Sequence, residues 1–158
     1  MVSGYDVTQV NPLTPMTLLM NLTTVLSQTL LEAVPKGLVS AYLFGSHARG
    51  QAHSESDIDV GVLLHPELYP SVQARFEERI RLTAWLIGAL GVNAVDIVVL
   101  NDAPPELGRH IVTQGSRLYC AEAQLDHAFV RDVQLRAADL DPFLRRTRRV
   151  KLQALARS

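Results

Sequence analysis

The chain has 158 residues, 47% of them hydrophobic and 20% charged, with a formal net charge of −1. That length fits one domain with a core of useful size, and the near-neutral charge provides no global field to recruit nucleic acid, so direct nucleic-acid binding is not expected. A single cysteine, Cys120, excludes an intrachain disulfide and a cysteine-led zinc cluster, and none of the five histidines falls in a zinc-binding pair. With no run of eighteen apolar residues and no secretory leader, a cytoplasmic protein without membrane contact is expected.

Residues 1–13 are polar and non-periodic and read as a flexible lead-in to a single domain over 14–158. Thr14-Pro15 is a cap followed by proline at the first helical position. Leu18, Leu19, Leu22, Val25, Leu26 and Leu30 then recur at helical spacing to about Ala33. Pro35 to Gly37 breaks the pattern, Leu38 to Phe44 is an apolar strand, and Asp57 to Leu64 is a second one. From Ser71, a face of Val72, Phe76, Ile80, Ala84 and Ile87 predicts an amphipathic helix that closes at Gly91. Asn93 to Leu100 is a third strand with Asp96 inside it, and Asp102 is placed to cap a helix over about 104–114. Arg117 to Cys120 is a short edge strand. Helix follows from about Ala123 to Leu140 and restarts at Asp141-Pro142. This alternation predicts an α/β (α+β) domain, a small mixed β-sheet flanked by helices.

The most informative stretch is Gly45-Ser46, ten residues, then Asp57-Ile58-Asp59. Residues two apart on a strand point the same way, so Asp57 and Asp59 converge and repel unless a cation lies between them. Magnesium, held by one or two carboxylates plus substrate phosphates, suits such a pair. The Gly-Ser turn offers backbone N–H groups that can cradle phosphate. Asp96 is a third acid; if its strand lies beside that of Asp59, the three suit a two-metal site for in-line nucleotidyl transfer. Each element has a plainer reading taken alone: Asp57 and Asp59 as solvated turn residues, Gly45-Ser46 as an ordinary turn, Asp96 as a charge guarding an edge strand. Their joint occurrence in this order favours the functional reading.

Gly45-Ser46-x10-Asp57-x-Asp59, with Ala48-Arg49-Gly50 in the spacer and Asp96 on a later strand, resembles the DNA polymerase beta-like nucleotidyltransferase superfamily. The segments Leu100 to Leu107 and Gly115 to Tyr119 and the helical tail are similar to its minimal nucleotidyltransferase (MNT) group. The resemblance implies the polymerase beta-like nucleotidyltransferase fold, with Gly45 and Ser46 holding nucleotide phosphates. It also implies that Asp57 and Asp59 bind two Mg2+ ions, and that Asp96 ligates the catalytic ion and helps deprotonate the acceptor hydroxyl. Arg49 would either neutralise the triphosphate of ATP or tie down the loop. MNT proteins commonly act as antitoxins beside a HEPN-family ribonuclease toxin, some by transferring AMP to a tyrosine of that partner, so a hetero-oligomer with toxin or a homo-oligomer is compatible. Two alternatives stay open: a non-catalytic antitoxin that works by occlusion, and adenylylation of a small molecule.

Outside the motif, the N-terminal helix would serve packing or partner docking. Arg145, Arg146, Arg148, Arg149, Lys151 and Arg157 crowd the last fourteen residues. They read as a solvated helix face, a contact for an acidic partner, or an RNA surface, the last disfavoured by few aromatics to stack bases. His53 and His110 read as surface residues, and Trp85 and Phe76 as core or interface.

Overall fold

A computed structural model of the protein describes residues 15–53 and 56–156. The lead-in at 1–13, the cap at Thr14 and Arg157 of the basic tail lie outside the described residues.

Helix α1 (Pro15–Ala33) follows the expected span and buries Leu26 and Leu30. It ends on Val34, whose φ of 43° is left-handed, while its N–H reaches the Leu30 carbonyl at 3.0 Å. Strand β1 (Leu38–Phe44) lies inside a four-stranded sheet formed with β2 (Ile58–Leu64), β3 (Val95–Val99) and β4 (Ser116–Cys120), in the order β3-β2-β1-β4. β1 runs antiparallel to both β2 and β4, whereas β2 and β3 are parallel. The sheet is therefore mixed, as expected, and β4 is an edge strand.

A parallel pair needs a crossover, and helix α3 (Val72–Leu90) supplies it. Ser71 caps its start, accepting the Ala74 N–H at 3.1 Å, and Gly91 closes it in a left-handed turn at φ 64°. The face that α3 buries is not the one the periodicity suggested. Leu82, Leu86 and Glu78 point inward, while Val72, Phe76 and Ile80 face solvent. The helix carries two apolar stripes, and the leucine stripe packs on the sheet. Glu78 can follow it inward because Arg81 meets its carboxylate at 2.9 Å.

A 3-10 turn (Leu100–Asp102) leads into α4 (Pro105–Gln114). Asp102 does not cap that helix. Its carboxylate instead receives two hydrogen bonds from Arg75 of α3, at 2.8 and 2.6 Å, so it fastens the crossover helix to the end of the sheet. Asn101 clips the same end: its side chain receives from the Leu64 N–H and donates to the Leu64 carbonyl.

Helix α5 (Ala123–Leu155) is continuous and passes through Pro142 without a restart. Its inner half buries Val133 and Ala137, and among the described residues nothing beyond Ala137 is buried. Two apolar cores result. One joins α1 and α3 to Leu43, Val60, Val62 and Ile97; the other joins α4 and α5 to Val39, Tyr42 and Leu63 on the opposite face. Gly61 and Gly108 allow the second core to close, since a Cβ at either would come within 2.8 Å of a methyl group of Ile111 or Val133. Among the described residues, no helix is long and apolar enough to cross a membrane.

Candidate active site

Strand pairing brings the motif together at one end of the sheet. Phe44, the last residue of β1, pairs with Asp59, and Asp59 pairs with Asp96 on β3. Paired residues on neighbouring strands share a face, so Asp59 and Asp96 project side by side. That face is the one that α4 and α5 cover further along, over Gly61 and Leu63. Asp57 lies two residues before Asp59 and is exposed; Asp59 is half-buried. Asp96 is also exposed, so it incurs no burial cost, and β3 is itself an edge strand.

The charges sense one another. Burial pushes the Asp59 carboxyl above its ordinary value, and the neighbouring carboxylates of Asp96 and Asp57 push it further, while His47 and Arg49 draw it down. All five groups therefore stand within electrostatic reach. A donor set of three carboxylates is hard and all-oxygen, which suits magnesium. Among the described residues, no three metal-ligating side chains are drawn into a closed cluster. Asp57 and Asp96 are both exposed, so their carboxylates have room to turn toward a shared cation.

The other half of the motif wraps this carboxylate group. Gly45 opens a four-residue helical turn, α2 (Gly45–Ala48), directly from the end of β1, and its φ is 72°. A Cβ on Gly45 would collide with the Asp59 carboxylate. Glycine is thus required twice, for the left-handed backbone and for the contact. The first N–H groups of such a turn have no intrahelical partner and remain available to an anion. Ser46 is in this turn; Arg49 ends it and is exposed.

One contributor was not singled out from sequence. His47 Nε2 lies 3.1 Å from the Ser56 carbonyl oxygen, which can only accept, so that nitrogen carries the proton. Ser56 is also tied to His53, receiving its N–H on Oγ at 2.9 Å and donating its own N–H to the His53 carbonyl at 3.0 Å. These bonds pin the chain one residue before Asp57. Position was the available signal, because His47 directly follows Ser46 inside the spacer.

Deeper on the same face, Tyr42 donates to Asp126 Oδ1 at 2.6 Å, and Arg117 reaches Oδ2 at 3.3 Å. Asp126 is 1% exposed. Burial pushes the Tyr42 phenol well above its usual range, and the bond to Asp126 adds to that. The network ties α5 to β1 and β4, next to the strand row that carries Asp59. His53 and His110 are exposed, as expected, and Trp85 is half-buried against the first core.

The polymerase beta nucleotidyltransferase family profile matches residues 28–124, from the second half of α1 to the start of α5. The chain belongs to that family. Within it, the chain is 40% identical over 88 residues to the protein adenylyltransferase MntA of Shewanella oneidensis, a match covering 56% of this chain and 58% of that relative's length. Among solved structures, a chain of a toxin–antitoxin structure with AMP-PNP is 28% identical, with a TM-score of 0.56 over 85% of this chain and 98% of that one. A chain from a complex of a tri-AMPylated Shewanella oneidensis HEPN toxin with an MNT antitoxin is 25% identical, with a TM-score of 0.55 and the same coverage.

Proposed function

We propose that this chain is a magnesium-dependent nucleotidyltransferase that moves AMP from ATP onto a tyrosine hydroxyl of a HEPN-family ribonuclease toxin, and so acts as its antitoxin. The observation that carries this reading is the pairing of Asp59 with Asp96 directly against the Gly45 turn. That arrangement sets the Gly45 turn and the carboxylate group at the same strand ends, which supports a reading in which triphosphate and acceptor meet there. The likeness to a protein adenylyltransferase and to toxin–antitoxin assemblies supports the choice of donor and partner.

In this mechanism the Gly45 and Ser46 backbone N–H groups and the Ser46 hydroxyl hold the phosphates, and Arg49 neutralises part of their charge. Asp57, Asp59 and Asp96 would hold magnesium, which supplies charge neutralisation for the triphosphate and the departing pyrophosphate. The acceptor oxygen forms a bond to the α-phosphorus as the bond to pyrophosphate breaks, and the hydroxyl proton leaves toward Asp96. His47 acts at one remove, by fixing the loop that aims Asp57.

The test is transfer of label from α-labelled ATP, with magnesium, onto a co-expressed toxin from a neighbouring gene. We expect label on the toxin from the wild-type chain and none from Asp57→Ala/Asp59→Ala. Equal neutralisation of the toxin by both versions, with no label from either, would replace this reading with antitoxin action by occlusion.

A further inference from the structure

The solvent face of α3 is apolar where a helix over a sheet should be polar. Val72, Phe76 and Ile80 are 65%, 46% and 52% exposed, and Ala84 continues the line. These residues are four apart and lie opposite the buried Leu82 and Leu86, so they form one ridge on the outside of the molecule. Arg79 lies over the Phe76 ring, 5.2 Å from its centroid, and flanks the ridge on one side. Glu77 and Arg81 flank it on the other; Arg81 is 72% exposed and also reaches back to the buried Glu78 at 2.9 Å.

From this pattern we infer that α3 is a self-association surface whose occupant is α3 of a second copy, packed antiparallel about a two-fold axis beside Ile80. Two features select that occupant. Size is graded along the ridge: the large residues Val72, Phe76 and Ile80 come first, and then Ala84 and Gly88, where a Cβ would meet no atom within 4 Å. Antiparallel packing sets Phe76 against the partner's Ala84 and Ile80 against the partner's Ile80, so large side chains fill the space that small ones leave. Charge follows the same symmetry. In an antiparallel pair each flank meets its own copy, so Glu77 faces the partner's Arg81 and Arg81 faces the partner's Glu77, forming two ion pairs. A parallel pair would set Ala84 against the partner's Ala84 and leave a gap.

Ridges of this four-residue type cross at an angle near 50°, which confines contact to the middle of the helix. Few side chains take part, so the interface falls at the small end of specific interfaces, below about 1,200 Å² in total, and association depends on concentration. This surface is separate from the carboxylate site and does not depend on the proposed reaction.

The test is sedimentation equilibrium of the full chain across a concentration series. The wild-type mass should rise toward that of a dimer, and Ile80→Glu should weaken association by about tenfold or more. Glu77→Arg, which sets like charges across the two-fold axis and leaves the Arg81–Glu78 pair in place, should weaken it as well. Both variants are tested on chains whose thermal unfolding matches wild type. A wild-type chain that stays monomeric throughout would assign the ridge to a different cover and overturn the proposal. So would an Ile80→Glu or a Glu77→Arg variant that associates as wild type does.

Discussion

The Gly45 α-carbon and the Asp59 carboxylate occupy one space between them, such that any side chain on Gly45 would displace the acid. The two sides of the motif, twelve residues and more apart in sequence, are therefore a single fitted unit. The turn that offers N–H groups to phosphate also buttresses the central carboxylate. Gly45→Ala tests this directly. Alanine must adopt a φ of 72° and push Asp59 aside, at a cost of about 1–3 kcal/mol. We expect a lower melting temperature and loss of transfer by about a hundredfold or more; wild-type transfer by Gly45→Ala would refute the fitted role of Gly45.

The carboxylate group carries a stability penalty of known sign. Because the folded state raises the Asp59 pKa above 3.8, it binds the proton more tightly than the unfolded chain does. The favourable contribution is present below 3.8 and is lost as pH rises through the raised value. At neutral pH the metal-free protein is thus held below its attainable stability. Asp96→Asn removes one repulsive neighbour, so its melting temperature in chelator should rise by about 1–3 °C while transfer is lost. Added magnesium should stabilise wild type more than the variant, as differential scanning calorimetry would read.

Tyr42 and Asp126 should prove structural. Tyr42→Phe leaves a carboxylate that is 1% exposed with Arg117 as its remaining partner. We expect a loss of about 1–3 kcal/mol in urea denaturation. Transfer activity measured well below the unfolding transition should change little.

Val34 is a β-branched residue in a left-handed conformation, at φ 43° and 65% exposed. Such a backbone disfavours valine and suits asparagine. Val34→Asn should therefore stabilise the protein by about 0.5–1 kcal/mol, read from the same urea transitions. A destabilised variant would show that the Val34 side chain makes a contribution of its own.

Much of the architecture could be read from local patterns, because alternating strands, a serine cap at Ser71 and a glycine close at Gly91 are decided by their immediate neighbours. Asp59 and Asp96 were legible as strand residues, but their pairing stood only as a condition on strand order, which spacing along the chain does not decide. What escaped depended on distant partners. Asp102 looks like a cap until Arg75, twenty-seven residues away, claims its carboxylate. The inward face of α3 could not be chosen from two apolar stripes without the sheet beneath it. Pro142 carries the local signature of a helix start, yet α5 runs through it, giving up only the bond that proline cannot donate to Ala138.

The last eighteen residues of α5, from Ala138 to Leu155, run for on the order of 27 Å, and none of them is buried among the described residues. A helix of that length with no buried side chain among the described residues to anchor it is marginal in water, and Pro142 weakens its root. Its seam continues outward from the buried Val133 and Ala137 through Leu140 and Leu144, while Arg145 is anchored to Asp141 at 2.8 Å. Amides there should exchange with deuterium at rates unrelated to global unfolding, so this segment works as a local thermometer. Whatever grips it will slow that exchange without touching the sheet, which makes capture at this end legible independently of chemistry at the other.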